Sequence, residues 1–138
     1  MKLLVDYALQ FVGVPYVWGG ANYLTGIDCS GFIQELLASC GADPPGDQTA
    51  QGLYDHFATQ TVPMHIPQIG ALLFFGKSAS EVTHVAMALD YYRMIEAGGG
   101  GSKTVDRATA AQQGAMVRIR AIDRRSDLVA IFMPKYRP

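Results

Sequence analysis

Residues 26–32 read GIDCSGF. The stretch sets Cys29 between an acid and two small residues, where an apolar stripe of helical spacing begins with Phe32, Ile33, Leu36, Leu37 and Cys40. Asp28 is a favoured N-cap type, so the pattern predicts a helix that opens at Cys29. A thiol there has two readings. Free cysteine is often a small buried hydrophobe. A helix start, with its partial positive charge and unpaired N–H groups, instead favours the reactive thiolate. Gly31, with Ser30 before it, leaves room for a substrate to approach the sulfur. Gly41 ends the stripe, and Pro44 and Pro45 forbid a quick restart. Cys40 therefore falls at the far end, about 16 Å away at 1.5 Å per residue. A disulfide needs Cα atoms about 4.4–6.8 Å apart, so both cysteines are predicted to be free, Cys40 as part of the core.

Upstream, Leu4, Ala8 and Phe11 recur at helical spacing over residues 3–12 until Gly13 and Pro15 interrupt it, and VPYVWGGANYLTGI (14–27) reads as an irregular link. Downstream, Asp47 to about Phe57 reads as a further short helix. After Pro67 the character changes: GALLFF (70–75), VTHVAMAL (82–89), RMIEAG (93–98), MVRIRAI (116–122) and LVAIFM (128–133) are short β-type runs separated by turn or loop material. Helices first and strands second, without βαβ alternation, predict an α+β fold with an antiparallel sheet and helices packed on one side. No repeat or linker is visible, so residues 1–138 are expected to form a single domain. AGGGGSKT (97–104) resembles a phosphate loop, but Ser102 stands where that loop requires glycine before the lysine. It reads instead as a flexible turn after a strand.

The chain of 138 residues is 49% hydrophobic and 17% charged, enough to bury a real core. A formal net charge of −1 gives no global signature of nucleic-acid binding. Basic residues gather late, as Arg118, Arg120, Arg124, Arg125, Lys135 and Arg137, and read as a solvated face plus a tail. There is no CxxC and no HExxH, so neither a metal nor a cofactor is expected. The longest strongly apolar stretch, IGALLFFG (69–76), is far short of a membrane span. The N-terminal MKLLVDYALQ, interrupted by Asp6, does not read as a secretory signal.

A nucleophilic thiol needs a base within reach and a group to hold that base. Of three histidines, His56 and His65 lie in segments without a catalytic pattern. His84, in THVAMAL (83–89), shares a strand face with Ala86 and Ala88, which leaves room for something bulky to dock, the Cys29 helix being the natural candidate.

PYVWGGANYLTGIDCSGFIQELL, then THVAMAL, then a polar residue twelve positions after the histidine, together resemble the NlpC-type family of cysteine peptidases. The resemblance runs from about residue 7 to residue 97 and also takes in DQTAQGLYDHF and GALLFF. It implies a papain-like fold and cleavage of bacterial cell-wall peptides. Residue by residue, it implies that Cys29 is the nucleophile and His84 the base, and that the Tyr16 hydroxyl helps to stabilise the oxyanion. Asp28 would lie beside the substrate's free amino end, with Ser30 and Trp18 also lining the substrate site. The third polar residue, commonly histidine in the family, is Glu96 here. A carboxylate can also orient an imidazole and stabilise its cation. Ala71 stands where the family often has an acid.

His84 and Glu96 share a sheet face only if the hairpin between them has an odd loop, for example Asp90-Tyr91-Tyr92. The leading expectation is a monomeric thiol peptidase acting on peptidoglycan stem peptides at the γ-D-glutamyl–diamino acid bond, the bond being supplied by the resemblance. An amidase or acyltransferase would use the same Cys and His. A wall-binding or structural module would have lost the chemistry. The route to the wall stays open between delivery by a phage tail or secretion machine, action on recycled peptides in the cytoplasm, and origin as a piece of a longer protein.

Overall fold

The computed structural model describes residues 1–136; Arg137, counted above in the basic tail, and Pro138 lie outside them. Helix α1 spans Lys2–Leu9 and is followed by tight turns to Gly13. It buries Leu4 and Ala8, and Phe11 beyond it packs on Phe32 with ring centroids 5.4 Å apart. The link contains a small hairpin, β1 (Ala21–Asn22) and β2 (Gly26–Ile27), too short for a periodicity to reveal.

Helix α2 spans Cys29–Ser39, opening where the sequence predicts. Asp28 caps it, its Oδ1 accepting the Gly31 N–H at 2.7 Å, and Gly41 leaves it at φ +68°. Helix α3 is Ala50–Gln60 rather than Asp47–Phe57, because Thr49 takes the cap by accepting the Gly52 N–H at 3.0 Å. Gln34 holds the segment before α3 against α2: its Oε1 accepts from Gln48 N at 2.7 Å and its Nε2 donates to Gln48 O at 3.0 Å.

The five predicted strands form one antiparallel sheet: β3 (Leu72–Gly76), β4 (Val82–Ala88), β5 (Arg93–Gly98), β6 (Met116–Ala121) and β7 (Leu128–Phe132), in the order β6-β5-β4-β3-β7. Between β5 and β6 lies α4 (Arg107–Gln113), capped by Asp106 and closed by Gly114 at φ +65°, where the sequence reading has only a loop. A 3-10 turn follows β6 at Ile122–Arg124.

All four helices contribute to one core on one face of the sheet, against Leu72, Phe74, Val85, Met87, Ile95, Ala97, Val117 and Phe132. The other face carries a smaller cluster that includes Leu73, Phe75, Ala86, Ala88, Met94 and Ile131, covered by Ile122 and Met64. This corrects the docking expectation. Helix α2 packs on the Val85 and Met87 face, whereas the alanines beyond His84 face the loop and turn side. Ala71 is fully buried in that second cluster, where an acid would have to be desolvated.

A bulge reshapes the start of β4 beside His84. Opposite β3, Phe75 pairs with His84 but Gly76 pairs with Val82, leaving Thr83 as the extra residue. Val82 and Val85 then both join the helix-side core while His84 stays on the Phe75 face. Gly76 permits this, since a Cβ there would lie 2.1 Å from Glu81 O. Gln51 of α3 fixes the start of β4 by accepting the Val82 N–H at 2.7 Å.

Candidate active site

Cys29, Asp28, Tyr16, Trp18, Ser30, His84 and Glu96, all singled out in the sequence, line one cleft of about 770 Å³. Their placements differ. Cys29 is buried, 9% exposed, at the first turn of α2, and both cysteines are free. Cys40 caps the far end of the helix and is half-buried. His56 packs edge-on against Phe57 and His65 is exposed; neither lines the cleft.

The β4–β5 hairpin closes with Leu89 N donating to Arg93 O at 2.8 Å, so its loop is Asp90-Tyr91-Tyr92, an odd count. His84 and Glu96 therefore share a face, and His84 Nε2 lies 2.7 Å from Glu96 Oε1 in a buried pair. Burial disfavours the imidazolium, but hydrogen bonding to Cys29 and Glu96, and their charges, outweigh it and push His84 up to about 9. Burial likewise opposes ionisation of Glu96, yet His84 and Arg118 hold its carboxyl below the usual range.

Arg118, which the sequence reads as part of a solvated face, has a place in the site. It stands directly across from Glu96 on β6, and its Nε donates to Glu96 Oε2 at 3.4 Å. Arg125 is also half-buried, its guanidinium 4.9 Å from the Phe75 ring centroid. Neither belongs to a simple solvated face. Cross-strand register is the signal that identifies Arg118, and it is available only once the pairing of β5 with β6 is known.

Tyr16 is buried, and burial, then the nearby Cys29 and Asp28, push its phenol well above the usual range, so it remains an O–H donor. The glycine run read as a flexible turn has a site role: a Cβ on Gly100 would lie 2.5 Å from Tyr16 Cδ1. Asp28 works twice over, its Oδ1 capping α2 and accepting from Ser30 Oγ at 3.3 Å, while its Oδ2 accepts the Gly19 N–H at 3.0 Å. Trp18 is 55% exposed on the rim. Among the described residues no cluster of metal-ligating side chains occurs, and no helix is long and apolar enough to cross a membrane.

A helix opening on a cysteine, packed on an antiparallel sheet that presents a histidine to it, is the papain-like α+β architecture. The chain belongs to the NlpC/P60 family, whose model matches residues 13–125. It is 37% identical over 107 residues to the bifunctional muramidase/DL-endopeptidase CwlT of Bacillus subtilis, a match covering 76% of this chain and 31% of that protein. It is 32% identical over 99 residues to the gamma-D-glutamyl-L-lysine dipeptidyl-peptidase of Bacillus subtilis, covering 67% of this chain and 30% of that one. The chain thus matches less than a third of the length of either relative. Among solved structures, an NLP/P60 family protein similar to lipoprotein, from Staphylococcus aureus Mu50, superposes with a TM-score of 0.72 at 30% identity, over 96% of this chain and 40% of that one.

Proposed function

We propose that this chain is a cysteine endopeptidase domain that hydrolyses peptidoglycan stem peptides at the bond between the γ-carboxyl of D-glutamate and the diamino acid. The observation that carries the reading is His84, buried between the Cys29 thiol and the Glu96 carboxylate and raised to about 9 by both. Such an imidazole is placed to take the thiol proton as Cys29 attacks. The bond is inferred from the relatives, one named for a γ-D-glutamyl-L-lysine linkage and one for DL-endopeptidase activity.

In this mechanism the Cys29 thiolate attacks the carbonyl carbon, and the C–O π electrons move to oxygen. Tyr16 O–H and the Cys29 N–H, which has no partner within the helix, are the candidate donors to that oxyanion. As the intermediate collapses, the C–N bond breaks and His84 gives its proton to the departing amine. Water then adds to the thioester with His84 taking its proton, the C–S bond breaks to return the Cys29 thiolate, and the acyl fragment departs as a carboxylate. Glu96 holds the ring and balances its charge, itself steadied by Arg118. Asp28, beside the nucleophile, suits the free amino end of the acyl fragment, with Trp18 and Ser30 along the same side.

Digestion of purified sacculi with wild type and Cys29→Ala, followed by mass spectrometry, tests the reading. Wild type should release fragments with new γ-D-glutamyl termini and Cys29→Ala none. Release of intact stem peptides cut at the glycan linkage would favour an amidase and overturn it.

A further inference from the structure

The cleft is electrically polarised. Asp28 at the start of α2, and Asp47, held to α2 by Gln34 Nε2 at 3.1 Å, stand on the helix side. The sheet side carries Arg118, Arg124 and Arg125. Two of these arginines are engaged, Arg118 with Glu96 at 3.4 Å and Arg125 with Asp127 through two bonds of 2.9 and 2.8 Å. Arg124 is exposed and makes no ion pair among the described residues. The neighbouring Asp123 does not line the cleft. Arg124 is therefore the cleft-lining arginine left without an ion pair among the described residues.

The two engaged arginines are tied to the chemistry by a chain of contacts, and Arg124 adjoins Arg125 in the chain and lines the same cleft. The Phe75 ring lies 5.8 Å from His84, and Arg125 covers Phe75. Arg118 reaches His84 through Glu96. His84 thus lies on the contact path from Cys29 to both Arg118 and Arg125. The group that protonates the leaving nitrogen must face the leaving fragment, which puts that fragment on the His84 side of the cleft.

We propose that Arg124, backed by Arg118 and Arg125, forms a subsite for a free carboxylate on the departing diamino acid fragment. This rests on the peptidase reading above. It makes the preferred substrate a short stem peptide whose third residue carries an unblocked carboxylate, with the amino end at Asp28 and the acid end at Arg124. The exposed position of Arg124 limits the gain to about threefold to tenfold at low ionic strength, and added salt erodes it.

Binding and turnover separate this proposal from the one beneath it. The probes are L-Ala-γ-D-Glu-meso-diaminopimelate with both diaminopimelate carboxylates free, its two monoamides and its diamide. Calorimetry on Cys29→Ala should show the free peptide binding about threefold to tenfold tighter than the diamide, the monoamides identifying which carboxylate is read. In the Cys29→Ala background, Arg124→Gln should bring that ratio close to one and Arg124→Glu should invert it. Equal affinities, a ratio that Arg124→Gln leaves intact, or no measurable binding of the free peptide would each overturn the subsite. Turnover by the enzyme with Cys29 intact reads the other question. If the ratio holds but the free peptide is never hydrolysed, the peptidase reading fails and the subsite stands; hydrolysis without the ratio gives the reverse.

Discussion

His84 and Glu96, twelve residues apart in the chain, meet at 2.7 Å on one face of adjacent strands because a three-residue loop joins those strands. A two-residue turn would have reversed the parity of β5 and sent the carboxylate into the helix-side core. The pair is buried, and Arg118 occupies the second carboxylate oxygen. Glu96 thus balances two cations.

Glu96→Gln retains an acceptor for His84 but removes the charge that stabilises the imidazolium. Activity is expected to fall about 10- to 100-fold without vanishing, because this residue acts through the base and not on substrate. Glu96→Ala should fall further and also lose stability, since it leaves Arg118 and His84 facing each other unpaired. Steady-state kinetics with thermal melts separate these effects. Wild-type rates in Glu96→Gln would reduce the carboxylate to a spacer.

The raised His84 also makes a statement about pH. Its folded value, about 9, exceeds its ordinary 6.5, so the native state holds this proton more tightly than the unfolded chain. The stability it contributes is whole below about pH 6.5, declines above that and is gone beyond about pH 9. Glu96 has the opposite sign: its contribution is present above its ordinary 4.5 and is lost as pH falls through its lower folded value. Urea midpoints should drop across the alkaline window in wild type, and less so in His84→Asn. The same ionisation should give kcat/KM an alkaline limb near pH 9, which Glu96→Gln moves downward. A limb that stays in place would show that another group controls it.

His84→Ala should abolish turnover while its circular dichroism stays native, because Phe75 and the alanines on that face need no imidazole to pack. His56→Ala and His65→Ala should keep most activity, since both lie outside the cleft. Near wild-type rates in His84→Ala would place the base elsewhere.

The five strands and α2 were legible because each is a run of apolar residues with a clear period and a glycine, proline or cap at its ends. Helix α4 was not, since a seven-residue stretch rich in alanine buries only Ala110 and so shows no stripe. The site was legible where it is local, at Asp28-Cys29-Ser30. Arg118 and the approach of Gly100 to Tyr16 were not, because register and close approach bring them in from distant segments. The face on which α2 docks is not legible for a similar reason: small residues beside His84 show that space exists, but not what fills it.

The last prediction concerns the two thiols. Cys29 opens α2 next to an imidazole that favours the cation, whereas Cys40 closes the same helix, where the dipole opposes negative charge and Ser39 Oγ lies 3.6 Å from its sulfur. Iodoacetamide at about pH 6, far below the ordinary thiol value of about 8.5, should therefore modify Cys29 and spare Cys40 in the folded protein. Peptide mapping after a short pulse reads both sites in one sample. Exposure works the other way, because Cys29 is the more buried of the two, so a preference for Cys29 cannot come from access alone. His84→Ala should remove the preference, and unfolding in urea should make the two cysteines equal. Preferential labelling of Cys40, or a Cys29 rate that His84→Ala leaves untouched, would detach the thiol from the histidine and with it the proposed mechanism.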